Sequence, residues 1–244
     1  MPRRLAMQLA AAEYVRVTTA LTQLAAEDWT KPTPCPAWDV RELACHVVGM
    51  ATMASTPWES ARQQKIAGAD AAARGGPVVD ALTALQVRER ESLTPEEVVA
   101  AARAIAPKAA RGRRLTPFFI RRKHLPEPQL VNGREELWTL GYLIDVILTR
   151  DPWMHRVDLA EATGQPLELT GDHDGAIVDD VVREWAGRHG RACEVELSGP
   201  AGGRWSWTDR PGVPESIAMD AIDFCRTLSG RRAGEGLLTT QVPF

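Results

Sequence analysis

The sequence predicts an α+β protein in which an N-terminal helical domain, residues 1–164, is followed by a small mixed domain, residues 165–244. Before residue 164 the apolar residues recur at helical spacing. After it, short alternating segments and glycine-bounded turns are mixed with one amphipathic helix. A length of 244 residues also suits one large domain or two smaller ones.

The composition indicates a globular protein without an obvious macromolecular partner. The apolar share of 44% and the charged share of 25% are ordinary for such proteins. A net charge of −3 favours neither nucleic acid nor an anionic membrane as partner. No apolar run approaches the ~18 residues of a membrane span, and the basic start of the chain is typical of a first helix rather than a signal peptide. We therefore expect no nucleic-acid or membrane partner.

The cysteines point to a reducing compartment. Cys35, Cys45, Cys193 and Cys225 are widely spaced, with no CxxC pair and no dense framework. Such spacing is typical of reduced thiols, so we expect a cytoplasmic protein. Alanine and arginine are abundant, which suggests a GC-rich genome.

Six helices are predicted in the N-terminal domain. They cover residues 5–27, 40–53, 60–73, 78–91, 94–110 and 134–162. Three prolines in WTKPTPCPAWDV preclude a helix between the first two. Asp39, with Glu42 three residues later, is a capping-box signal for the second helix. Thr94 and Pro95, followed by two glutamates, mark the start of the fifth helix.

The C-terminal domain is predicted from shorter segments. PLEL alternates like a strand, and DGAIVDDVVREWAGRHG is an amphipathic helix ended by glycine. CEVELSG and RWSWTD, separated by PAGG, indicate a β-hairpin. A helix over residues 215–228 and a last strand in LLTTQVPF complete the prediction.

Three ionisable residues interrupt apolar helical stripes. The stripe of the last N-terminal helix consists of Leu137, Leu140, Ile144, Ile147 and Leu148. Continued by steps of three and four, this stripe reaches Asp151 and then His155. The stripe of the second helix similarly contains His46. An unpartnered polar group in these positions would cost roughly 2–7 kcal/mol, so each residue requires a compensating partner.

The residues alone leave two interpretations open. A single histidine on an apolar face is more often a hydrogen-bonded core residue than a ligand, and Asp151 before Pro152 could be the N-cap of a new helical segment. On the other hand, a carboxylate and an imidazole at i and i+4 can converge on one ion. A third ligand from a facing helix would complete a metal site of the kind built inside helical bundles.

Two quoted segments resemble a known family. TPCPAWDVRELACHVVG and, about a hundred residues later, TRDPWMHRVDLAEATG are similar to the mycothiol-dependent maleylpyruvate isomerase family, as are DFCRTLSGRR and the closing QVPF. The resemblance implies an actinobacterial protein with a DinB-like four-helix bundle and a small C-terminal domain similar to sterol carrier proteins. It also implies a divalent metal, typically zinc, bound by His46, Asp151 and His155, with aspartate where the characterised isomerase has glutamate.

The resemblance further implies a chemistry. Three protein ligands leave a position for an exogenous group, and a metal-coordinated thiol, here mycothiol, loses its proton and becomes nucleophilic at neutral pH. The thiolate could add to a small electrophilic substrate, giving isomerisation if it leaves again and S-transfer if it stays. An arginine of the C-terminal domain takes part in catalysis in the family, which points to Arg231, with Arg226 as the second choice. The alternative is a non-catalytic protein of the same fold that binds a metal or a small ligand, and we expect a monomer or weak homodimer in either case.

A basic segment lies between Glu97 and Glu127. It contains no acid and eight cations: Arg103, Lys108, Arg111, Arg113, Arg114, Arg121, Arg122 and Lys123. Such a segment is either a solvated helix end and loop or a rim that attracts anionic thiols or carboxylate substrates. Near the candidate ligands, Cys45 points about 100° away from His46 on a helix and is expected in the core, and packing is the expected role of Trp38 and Trp153.

Overall fold

The computed structural model describes residues 1–244, which divide into two compact units. One unit contains Pro2–Lys123 and Thr139–Pro166, and the other contains Met1, His124–Trp138 and Leu167–Phe244. The predicted fold class, a helical bundle with a small mixed domain, is confirmed. The domain boundary predicted from the sequence stays a prediction. That residues 124–138 cluster with the C-terminal part of the chain is not among the sequence predictions.

The first unit is helical throughout. Its helices are α1 (Arg3–Thr22), α2 (Val40–Ser55), α3 (Pro57–Arg74), α4 (Val78–Arg88), α5 (Pro95–Leu115), α6 (Phe118–Arg121), α7 (Leu140–Tyr142) and α8 (Leu148–Thr163). A 3₁₀ turn occupies Ala26–Thr30, and a π-helical turn occupies Leu143–Ile147. Helices α1, α2, α5 and α8 pack against one another as a four-helix bundle, while α3 and α4 lie against α2.

The bundle core is apolar where the sequence predicts it. Leu43 and Val47 of α2 pack with Leu21 of α1, Val98 of α5 and Leu159 of α8, and all five are buried. Burying an aliphatic side chain of this size contributes about 1.5–3 kcal/mol. None of the helices combines the length and the apolar character that crossing a membrane requires.

Two predicted helix boundaries in this part of the chain are wrong. The first helix ends at Thr22 instead of residue 27, because Asp28 accepts a hydrogen bond from the Ala25 backbone and stabilises a separate 3₁₀ turn. The last helix was predicted from residue 134, but it begins at Leu140. Leu137, assigned to its apolar stripe, precedes the helix and is 58% exposed.

The second unit contains two sheets and two helices. Its elements are β1 (Gln129–Val131), β2 (Arg134–Glu136), β3 (Cys193–Ser198), β4 (Gly203–Trp207), β5 (Glu215–Asp220), α9 (Ala176–His189) and α10 (Ala221–Leu228). The predicted hairpin is confirmed, because β3 and β4 pair antiparallel with Val195 opposite Trp205. The predicted helix α9 is also confirmed, and it ends at Gly190 in the left-handed conformation.

Three predictions for this unit are wrong. Residues 215–228 form a strand followed by a helix. The Asp220 side chain accepts hydrogen bonds from the backbone N–H groups of Ile222 and Asp223, so α10 begins directly after Asp220. β5 pairs parallel with β3. PLEL belongs to neither sheet. The tail forms a 3₁₀ turn over Gly236–Thr239, whose Leu237 carbonyl accepts a hydrogen bond from the Trp185 indole.

Candidate metal centre in the helical bundle

Helix α2 carries His46 into the bundle. The predicted capping box is present: Asp39 Oδ1 accepts from the Glu42 backbone at 2.8 Å, and Glu42 Oε2 accepts from the Asp39 backbone at 3.0 Å. This reciprocal cap satisfies two otherwise unpaired N–H groups and fixes where the helix begins. His46 lies two turns later and is only 2% exposed.

Helix α8 carries Asp151 and His155. The interpretation of Asp151 as an N-cap is wrong, since the helix begins at Leu148 and continues through Pro152. Proline has no N–H to donate to the Leu148 carbonyl four residues earlier. Arg113 of α5 replaces that donor, because its Nη1 donates to the Leu148 carbonyl at 2.7 Å. A buried arginine thus stabilises the helical turn from which Asp151 projects.

The structure brings the three predicted ligands together. Asp151 Oδ1 lies 3.5 Å from His46 Nε2 and 3.5 Å from His155 Nε2. One potential ligand atom from each of the three residues lies within 4.8 Å of the other two ligand atoms, and these three residues are called the cluster below. Asp151 Oδ2 is buried and makes no hydrogen bond, and neither does His46 Nδ1. The cluster therefore contains a buried anionic oxygen whose hydrogen-bonding capacity is unused.

These distances and atom types fit a divalent ion. Ligand atoms about 2.1 Å from a tetrahedral zinc ion lie about 3.4 Å from one another. Both separations from the Asp151 oxygen match this value closely. Two imidazoles and one carboxylate are also a donor set that zinc accepts in sites with an open position. The residues present are therefore suitable for the metal that the resemblance implies.

The electrostatics of the cluster favour a cation beside Asp151. Burial opposes the charge on this carboxylate, but attraction to His155 and His46 outweighs it and holds the pKa of Asp151 well below its ordinary value. Burial also opposes charge on His155, whereas Asp151 and Asp158 raise the pKa of His155 well above its ordinary value. The carboxylate is thus anionic, with the two imidazoles as the source of the compensating positive charge, and a divalent ion bound here would supply that charge in their place.

Trp38 covers the two imidazoles. Its ring stacks on His46 with centroids 4.7 Å apart and an interplanar angle of 29°. It also lies 6.0 Å from the ring of His155, which itself meets His46 edge-on at 5.1 Å. From the sequence, only a packing role is expected for Trp38. Its position immediately before the N-cap of α2 is the signal for its place beside His46. Trp153, by contrast, is fully buried in the bundle.

Two polar residues behind His155 were not predicted. His155 Nδ1 lies 3.0 Å from Asp158 Oδ2, and Cys35 Sγ lies 3.6 Å from the same oxygen. Asp158 is completely buried, and Cys35 is half-buried in the proline-rich segment before α2. The i, i+3 spacing of His155 and Asp158 was a visible signal on α8. Cys45, as expected, belongs to the apolar core.

The arginines proposed for catalysis lie in the second unit. Arg231 follows α10 and lines a pocket of about 500 Å³ with Gly230, Arg232 and Gln241. Arg226 lies within α10 and is buried, with its Nη1 4.0 Å from Asp223 Oδ1. Arg231 is therefore the more accessible of the two, and its catalytic role stays a prediction.

The basic segment is not uniformly solvated. Arg113 and Arg121 are buried, and Arg121 pairs with Asp145. The other six cations of the segment are exposed. Buried Arg113 supports helix α8 as described above, so part of this segment has a structural role that neither sequence interpretation included.

Comparisons with known proteins agree with this fold. The sequence profile of the family described as "Mycothiol maleylpyruvate isomerase N-terminal domain" matches residues 10–160. Uncharacterized proteins from two strains of Mycobacterium tuberculosis are 26% identical over 237 residues, which cover 91% of this chain and 83% of theirs.

Two crystal structures of the mycothiol-dependent maleylpyruvate isomerase, one of them a histidine-to-alanine mutant, share the fold. Both superpose with a TM-score of 0.58, at 15% identity for one and 14% for the mutant. They cover 100% and 96% of this chain, and 95% and 91% of their own. Because the family profile spans more than half of the sequence, the chain belongs to the mycothiol maleylpyruvate isomerase N-terminal domain family.

Proposed function

We propose that this protein is a divalent-metal-dependent enzyme that uses a low-molecular-weight thiol, mycothiol, either to isomerise a small electrophile or to form a thioether with it by S-transfer. The observation that carries the proposal is the convergence of His46, Asp151 and His155, with the Asp151 carboxylate presenting a buried oxygen that makes no hydrogen bond. Family membership supplies the thiol and the reaction class.

Each ligand has a distinct task in this proposal. His46 and His155 would each contribute Nε2 from a different helix, and Asp151 would supply the only negative charge. A bound zinc ion would lower the pKa of an incoming thiol and so provide a nucleophile at neutral pH. Trp38, stacked on His46, would limit the access of water to the cluster.

The thiol would come from outside the chain. Cys45 is buried, its pKa is raised by burial, and its Sγ faces the Arg90 carbonyl at 3.7 Å. Cys35 Sγ lies 3.6 Å from Asp158 Oδ2 and within 4.8 Å of a ring nitrogen of His155, but it is not a member of the cluster of His46, Asp151 and His155. Cys193 and Cys225 are buried in the other compact unit. None of the four lies among the three donor atoms, which supports an exogenous thiol such as mycothiol.

Arg231 is proposed as a catalytic residue of the same enzyme. The support is the family resemblance together with its position in an open pocket. Arg231→Lys retains the charge but loses the planar, bidentate hydrogen-bonding geometry of guanidinium. We expect this variant to lower kcat while metal content stays at the wild-type level. Unchanged steady-state kinetics would exclude the catalytic role.

One observation favours a second candidate function. His46 and His155 are only 2% and 5% exposed, and Trp38 covers both rings. A site with so little access suits a non-catalytic metal- or ligand-binding protein of the same fold. The two functions differ in whether an added thiol reaches the metal. We propose a cytoplasmic location for either, since the four cysteines are free thiols.

Metal content and the cobalt spectrum test these proposals. Elemental analysis should find about one divalent ion per wild-type chain, none in His155→Ala, and wild-type content in His124→Ala, which alters an exposed histidine. Mycothiol should add sulfur-to-cobalt charge-transfer absorption to the cobalt-substituted protein, with glutathione and cysteine as comparisons. Equal metal in wild type and His155→Ala would refute the site. Normal metal binding with no spectral response to any thiol at millimolar concentration would refute the thiol chemistry and favour the binding role.

A further inference from the structure

Asp158 is placed to act on His155. It lies one helical turn beyond His155 on α8 and is completely buried. Its Oδ2 is 3.0 Å from His155 Nδ1, which is an ordinary hydrogen-bond distance. An ionised carboxylate only accepts hydrogen bonds, so with Asp158 ionised this contact requires the proton on Nδ1. The other ring nitrogen, Nε2, is the one that faces Asp151.

Cys35 strengthens this arrangement from a different part of the chain. Its thiol lies 3.6 Å from Asp158 Oδ2 and donates to it, although 123 residues separate the two in sequence. The same proline-rich segment carries Trp38, which stacks on His46. One buried carboxylate therefore links α8 to the segment that covers the cluster.

We propose that Asp158 is a positioning residue that holds His155 with the proton on Nδ1 and the lone pair of Nε2 directed at the metal. The inference rests on the proposed function, since it concerns the same cluster. Histidine ligands commonly donate their second N–H to a carboxylate, which fixes the tautomer and increases the basicity of the ligating nitrogen. Loss of such a partner typically lowers metal affinity by about 10- to 100-fold.

A different use of these side chains is less well supported. Cys35, His155 and Asp158 also bring three potential ligand atoms within 4.8 Å of one another, as a second ion site would require. However, His155 Nδ1 already lies at hydrogen-bond distance from Asp158, and a protonated nitrogen has no lone pair for a metal. A second site would therefore require the loss of that proton. A stoichiometry of two ions per chain would overturn the positioning role.

Two substitutions of Asp158 distinguish the effect of its hydrogen-bond acceptor from the effect of its negative charge. Asp158→Leu retains the approximate size and removes both, whereas Asp158→Asn retains an oxygen acceptor without the charge. We expect the Kd for zinc, measured by chelator competition, to rise about 10- to 100-fold in Asp158→Leu and by less in Asp158→Asn. Asp28→Asn is the matched control, because Asp28 is a buried aspartate of the same unit that caps the 3₁₀ turn over Ala26–Thr30 and belongs to neither cluster of potential ligands. Its Kd should equal that of wild type.

Nitrogen NMR of the zinc-loaded protein gives a readout that does not depend on activity. Wild type should show His155 protonated at Nδ1 and metal-bound at Nε2, with the Nδ1 proton slowed in exchange by the bond to Asp158. A proton on Nε2 would overturn the inference even if Asp158→Leu fails to fold. An unchanged Kd in a folded Asp158→Leu would overturn it while leaving the metal site intact. Absence of zinc from wild type would refute the proposed function itself.

Discussion

Arg113 should be the most consequential buried cation of the bundle. Its side chain is 1% exposed, and it donates to the Leu148 carbonyl and to the Thr149 hydroxyl. Its guanidinium also lies 5.7 Å from the centre of the Tyr14 ring. Arg113→Met retains most of the apolar stem but removes every donor. We therefore expect it to destabilise the fold through lost hydrogen bonds rather than through a large cavity.

The magnitude follows from the groups left behind. A hydrogen bond from a charged donor contributes about 1.5–3 kcal/mol, and an unsatisfied buried carbonyl costs about 1–3 kcal/mol. The expected loss for Arg113→Met is thus about 2.5–6 kcal/mol. For a chain of this length, Tm should fall by about 5–24 °C, since each kcal/mol corresponds to about 2–4 °C. Arg103→Met on the same helix removes an exposed cation and should change stability by less than about 0.5 kcal/mol.

A double-mutant cycle tests whether Arg113 replaces the backbone donor that Pro152 lacks. In Pro152→Ala a backbone N–H becomes available at position 152, and it can donate to the Leu148 carbonyl that Arg113 otherwise satisfies. In that background Arg113→Met should cost about 1–2 kcal/mol less than in wild type. Urea unfolding of the four proteins, monitored by circular dichroism, provides the comparison. Strictly additive effects would refute the argument that arginine compensates for proline at this turn.

Three further predictions concern the bundle. Asp151→Asn should weaken zinc binding at least about 10-fold in a folded protein, because a charged ligand becomes neutral; unchanged affinity in chelator competition would exclude Asp151 as a ligand. Arg62 lowers the pKa of Glu89, so Arg62→Ala should cost about 0.5–1 kcal/mol at pH 7. Urea titrations should show that difference shrinking as the pH falls through the lowered pKa of Glu89 in the folded state, where the carboxyl becomes protonated. Gly112→Ala should lose about 1–3 kcal/mol, since its Cβ would overlap carbonyl oxygens at the end of α2, whereas Gly68→Ala, with open space around it, should gain a few tenths on the same thermal melts.

The helix starts of the bundle were predictable because their signals are local. Asp39 with Glu42, and Thr94 with Glu97, form capping boxes in the structure as the sequence indicates. Each box needs only residues three apart, so no long-range contact decides the outcome. The same locality explains why the glycine after α9 correctly marked its end.

The hairpin of β1 and β2 is not among the sequence predictions, although the sequence contains a local signal for it. Asn132 and Gly133 both have positive φ values, 51° and 74°, as a two-residue turn between antiparallel strands requires. Leu137 happens to fall at helical spacing from Leu140, which extends the predicted helix back to residue 134 and over the strand that follows this turn. An asparagine–glycine pair is strong local evidence and should have taken precedence over a single apolar match.

The contact between Cys35 and Asp158 could not have been predicted from local sequence signals. Cys35 and Asp158 meet only because the proline-rich segment folds back over the end of α8, and nothing at either position specifies the other. Sequence periodicity identifies His46, Asp151 and His155 as anomalies in apolar stripes, and the i, i+3 spacing on α8 points to Asp158, but nothing in the periodicity indicates Cys35.

The arrangement of polar groups in the bundle explains how its core accepts three ionisable ligands. His155 is hydrogen-bonded to Asp158 through Nδ1, and Trp38 lies against the ring of His46. Asp151 differs, because one of its buried oxygens makes no hydrogen bond. Burying such a group without compensation is costly, and this oxygen is the anionic atom of the cluster that the protein's own residues leave unsatisfied. A divalent cation would satisfy it, which is why removal of metal should destabilise the bundle as well as abolish function.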